Sequence, residues 1–68
     1  MNIQKLAYQR ANCIALFEFL NGWDKSEDCD ERALYTLAER RMRRADQEFQ
    51  RACSLYTQAE LKALGVAA

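Results

Sequence analysis

The sequence predicts an all-α protein: an antiparallel two-helix hairpin, short helix 1 and long helix 2, that pairs as a homodimeric four-helix or coiled-coil-like bundle. Three observations predict it. The chain has no proline and only two glycines, Gly22 and Gly65, so little interrupts helix. Asn21-Gly22 is followed by the short polar link Trp23-Asp24-Lys25-Ser26, which suits a tight connection between antiparallel helices. From residue 35 onward two residue types alternate at heptad spacing. Tyr35, Met42, Phe49, Tyr56 and Ala63 recur every seventh residue, and Ala38, Ala45, Ala52 and Ala59 each follow three residues later. Alanine at every second seam position lets a partner backbone approach closely, and the large residues fill the space beside the contact.

Helix 1 is expected from about residue 2 to 21, with Asn2 as N-cap. Ile3, Leu6, Cys13, Ile14, Phe17 and Leu20 share one helical face, the core stripe. Leu16 and Phe19 fall outside it, on an arc shared with Tyr8. The turn covers residues 22–26, where Gly22 favours a left-handed cap. Asp24/Glu27 and Asp28/Glu31 both have the spacing of a capping box, placing the start of helix 2 near Ser26 to Asp28. Helix 2 is expected from about 27 to 64, stopped by Gly65, with Val66-Ala67-Ala68 trailing off. The whole of 1–68 is one domain.

The unequal lengths have a consequence. At about 1.5 Å per residue, helix 1 covers helix 2 only to roughly Glu48. The seam from Phe49 to Ala63 is left bare, and a second copy is the simplest cover. The expected dimer interface is Ala45, Phe49, Ala52, Tyr56 and Ala59. A chain of 68 residues needs such reinforcement, because a core this small rarely suffices.

Other reinforcements are poorly supported. Cys13, Cys29 and Cys53 are odd in number with no paired spacing, and there is no histidine, so neither a disulfide framework nor a zinc site is indicated. Three helix-borne cysteines read as small buried residues in a reducing cytosol. No apolar run reaches membrane-spanning length and no cleavage motif follows the first apolar run, so the expected location is cytoplasmic, with no membrane partner. Catalytic constellations, glycine-rich phosphate loops and metal-ligand spacings are missing from the sequence, which argues against an enzyme and against a cofactor.

Charge and aromatics mark the candidate binding residues. Ten cationic and ten anionic side chains cancel, at a pI near 6.2, but they are segregated. Asp24, Glu27, Asp28, Asp30 and Glu31 crowd the start of helix 2, where carboxylates oppose the helix dipole. Arg40, Arg41, Arg43 and Arg44 lie mid-helix, where the dipole offers nothing. Arg40, Arg43 and Arg44 are therefore candidates for binding an acidic protein surface or a phosphate backbone; their competing role is a solvated or intersubunit salt-bridged face. Leu16, Phe19 and Trp23 are the second candidate patch; their competing role is to close the bundle end over Leu34 and Leu37.

The alanine series Ala38, Ala45, Ala52 and Ala59, with Gly22 at the turn, resembles in plan the plasmid copy-number RNA-binding proteins of the Rop type. That resemblance implies a four-helix bundle and an RNA-binding alternative. Size, a short helix then a long one, and isolated arginine and aromatic patches make the chain look similar to the very small helical proteins with which phages inhibit host proteins, the quorum-sensing anti-activator type. That resemblance implies a dimeric protein-binding regulator that inhibits or adapts a cellular protein, such as a transcriptional activator or an ATPase. Protein binding is the expected function, and RNA or DNA binding through the arginine cluster the alternative. Zero net charge favours the first.

Overall fold

The computed structural model describes Asn2 to Val66; the expected trailing of Ala67 and Ala68 lies outside the described residues. Helix α1 runs Ile3–Phe19, one turn of 3-10 helix spans Trp23–Lys25, α2 runs Cys29–Cys53, and α3 runs Gln58–Ala63. The long helix packs against the shorter one in a rod of 47 × 16 × 14 Å. Among the described residues no helix is long and apolar enough to cross a membrane.

Each helix end has a local chemical cause. The Asn2 side chain accepts from the backbone N–H groups of Gln4 and Lys5 at 2.9 and 3.3 Å, capping α1. Gly22 leaves α1 at a φ of 90°, the left-handed region a side chain resists. Of the two possible cap positions, Asp28 is the one used, its carboxylate accepting from the Asp30 N–H at 2.9 Å. Helix α2 thus begins at Cys29, two residues later than expected.

The far end of α2 departs from expectation. Instead of running on to Leu64, the helix stops at Cys53, and Ser54, Leu55 and Tyr56 make a turn. Thr57 then starts α3 with a complete capping box: its hydroxyl accepts from the Glu60 N–H at 3.2 Å, and the Glu60 carboxylate accepts from the Thr57 N–H at 3.0 Å. The helix closes with a Schellman motif. Val66 donates to the Leu61 carbonyl at 2.9 Å, Gly65 donates to Lys62 at 3.1 Å, and Gly65 takes a φ of 74°. Leu61 and Val66, the apolar pair that accompanies this motif, are both buried.

Breaking α2 brings Leu61 and Val66 onto Ile3, Phe49, Ala52 and Cys53, which together form the core. Gln4 Nε2 donates to the Leu64 carbonyl at 2.8 Å, fastening α1 to the end of α3. The core therefore sits at one end of the rod, where three helices meet. Phe49 is its centre, at 1% exposure. Toward the other end the hairpin is a plain two-helix contact, with Leu20 and Ala38 buried, and Phe17 against Tyr35 at 5.0 Å between ring centroids.

The seam expected to need a second copy is covered from within. Phe49 and Ala52 are buried in the chain's own core, and Tyr56 packs at its edge. Ala45 is half-buried between α1 and α2, and Ala59 is exposed on α3. These five residues do not form one accessible surface. The physical reason is that a six-residue helix carrying its own cap and stop signals can fold back, whereas a straight helix to Leu64 would leave Leu61 and Val66 unburied. The cysteines also divide: Cys53 is buried and Cys13 half-buried, but Cys29 is exposed, contrary to the expectation of three buried thiols. All three are free thiols.

A candidate protein-binding face

Of the large apolar side chains left exposed, Leu16, Leu34 and Leu37 line one groove of the hairpin, and Tyr8, Leu55 and Leu64 lie outside it. Leu34, Leu37 and Leu16 are 51, 44 and 46% exposed, and Phe19 beyond them 76%. Leu16, Leu34 and Leu37 join Leu20, Trp23, Ala38 and Arg41 around a concavity of about 170 Å³ between α1 and α2. Leu20 and Ala38 form its buried floor, Trp23 is half-buried at its end, and the three leucines are its walls. Leu16, Phe19 and Trp23 therefore do not close the bundle end in this fold, because Leu34 and Leu37 stay open to solvent. Trp23 does contact the groove, but nothing seals it.

The groove continues along the rod. Past Arg41 it is lined by Gln9, Asn12, Cys13, Arg44, Ala45 and Glu48. One face therefore carries an apolar half near the turn and a polar half toward the middle of α2, with Arg41 at the join.

The arginines fall into two groups. Arg43 pairs with Glu39 at 2.9 Å and Arg44 with Glu48 at 3.2 Å, both one turn along the helix. Among the described residues Arg40 and Arg41 make no ion pair. Arg10 is occupied elsewhere: its Nε meets Asp46 at 2.7 Å and its guanidinium lies 5.1 Å above the Phe49 ring, sealing the core rather than reinforcing the cluster. While Arg44 lines the polar half of the groove, Arg41, which is not among the three arginines expected to bind, is the one that reaches the apolar half. Its spacing of four and seven residues from Leu37 and Leu34 carried that information.

Electrostatics beyond the groove is modest. On the opposite side Phe17, Glu18, Asn21 and Tyr35 line a second hollow. The Tyr35 hydroxyl has its pKa raised, first by partial desolvation and then by the carboxylates of Asp24 and Glu39, against an opposing pull from Arg43. Near the start of α2, Cys29 Sγ and the carboxylates of Asp28 and Asp30 lie within 4.8 Å of one another. All three are exposed, and Asp28 is committed to capping the helix.

No protein-family model, curated protein or solved structure shows a significant match to this chain.

Proposed function

We propose that this protein is a small protein-binding regulator, which acts by laying the α1/α2 groove face onto a helical protein surface and so occluding or bridging it. The observation that carries this reading is the group of exposed leucines, Leu16, Leu34 and Leu37, that converge on one groove between α1 and α2. A concave apolar strip with charged edges is what an amphipathic helix recognises. Arg41 supplies a cation at the groove's edge, and Phe19 an aromatic anchor outside it. The alternative, binding an RNA or DNA backbone, is favoured by the unpaired Arg40 and Arg41. It is weakened by the ion pairs of Arg43 and Arg44 and by the leucines beside Arg41, which no phosphate would use.

Site-specific photo-crosslinking tests the reading. A benzophenone side chain at position 37 should give an adduct with a protein in cells, whereas the same group at Gln50, on the opposite face of α2, should not. An adduct with nucleic acid, or equal yields from both positions, would contradict it.

A further inference from the structure

The exposed stripe of α2 that borders the groove has an internal symmetry of charge. On α2, Asp30, Leu34, Leu37 and Arg41 succeed one another at steps of four, three and four residues, which places them on a single helix face. Arg44 extends the same stripe by three residues at one end, and Glu27 stands at the matching sequence position before the helix begins. Reflecting it about the Tyr35–Thr36 peptide exchanges every acid with an arginine: Asp30 with Arg41, and Glu27 with Arg44. Leu34 exchanges with Leu37. Within the helix the flank repeats the pattern, with Glu31 opposite Arg40.

We propose that the occupant is a second copy of this chain, its α2 antiparallel to the first and the two-fold axis beside Leu34 and Leu37. This rests on the protein-binding reading and names the partner. An antiparallel pair places residues equidistant from the axis against each other, so each interface holds two Asp30–Arg41 pairs around a leucine centre. Leu16 of each protomer lies beside that centre, because it shares the groove with both leucines.

Two features favour a second copy over an unrelated acidic partner. A foreign acidic helix would match the arginine end of the stripe but would be repelled by Asp30 and Glu27 at the other. The chain itself matches both ends, because the stripe's own acids, Glu27 and Asp30, balance its arginines, Arg41 and Arg44. The groups are also available: among the described residues neither Asp30 nor Arg41 is engaged in an ion pair. Within one chain they stand about 16 Å apart along the helix, too far to satisfy each other. The interface is distinct from the Phe49–Ala52 seam, which is closed inside each protomer.

Charge exchange tests the register. Sedimentation equilibrium of the full chain should give a reversible dimer. Arg41→Glu sets a carboxylate against the partner's Asp30 twice per dimer and should weaken association at least tenfold, about 1.4 kcal/mol. Asp30→Arg should do the same, and the double variant Asp30→Arg/Arg41→Glu should recover the dimer to within about threefold. Leu34→Ser/Leu37→Ser should be monomeric, with its helical circular dichroism kept. A wild-type chain monomeric at all concentrations, single reversals without effect, or a double variant no tighter than the singles would each overturn the proposal. The crosslink at position 37 separates this inference from the reading beneath it. An adduct of twice the chain mass supports both. An adduct with a different protein overturns the second copy alone, and the absence of any protein adduct overturns the binding reading.

Discussion

Phe49 and Ala52 decide at the residue scale what the chain can do with its heptad seam. Both are buried by the chain's own α1 and α3, so both are folding residues. Phe49→Ala removes a large side chain from the centre of the core and should cost about 3–5 kcal/mol, enough to unfold a domain this small. Ala52→Leu should cost about 1–3 kcal/mol by overpacking. Chemical denaturation of each variant checks both figures, and a loss of self-association without loss of stability would contradict the assignment. Tyr35 gives a pH-dependent counterpart. Its phenol loses a proton less readily in the folded chain, so the folded state holds that proton more tightly than the unfolded one. Its contribution is therefore complete below the ordinary phenol value of about 10 and is lost as pH rises past it. Stability should fall in that alkaline range, and Tyr35→Phe should flatten the fall in a series of thermal melts at increasing pH.

The elements differ in how plainly the residues announce them. Helix α1, the Gly22 turn and the Asp28 start are local signals, and each is used as its chemistry suggests. The break after Cys53 is different. The heptad from Tyr35 to Ala63 runs through it without interruption, and no proline or glycine marks the turn. What ends the helix is a competing capping box, Thr57-Gln58-Ala59-Glu60, readable in the chain but outweighed by periodicity when only local pattern is considered. The decisive gain is tertiary, the burial of Leu61 and Val66 on Ile3 and Phe49. Thr57→Ala should therefore cost about 1 kcal/mol. It should also raise amide exchange across Gln58–Val66 before the rest of the chain. Hydrogen exchange resolved by residue tests this, and uniform acceleration along the chain would contradict α3 as a separately opening unit.

The molecule as a whole is a rod with its core at one end and an open leucine-lined groove toward the other, although Leu55 and Leu64 are exposed at the core end too. That division was only half legible beforehand. Leu16 and Phe19 stand off the core stripe in the wheel of α1, and Leu34 and Leu37 stand off the alanine seam, so their exposure follows from spacing. The four together could not be placed, because whether they close the hairpin or open a groove depends on how the two helices cross. The stripe through Asp30, Leu34, Leu37 and Arg41 was hidden for another reason: only two of its four residues are apolar, and hydrophobic periodicity passes over it.

A face that binds protein and contributes little to the fold should tolerate substitution in the isolated chain but not in the complex. One measurement bears on this most directly: the helical content and partner affinity of Leu37→Ser, determined side by side on the same preparation. The helical spectrum and cooperative melt should be retained, with affinity for the bound polypeptide reduced at least tenfold, about 1.4 kcal/mol. Unchanged affinity, or loss of the helical fold in the isolated chain, would contradict that role for the face.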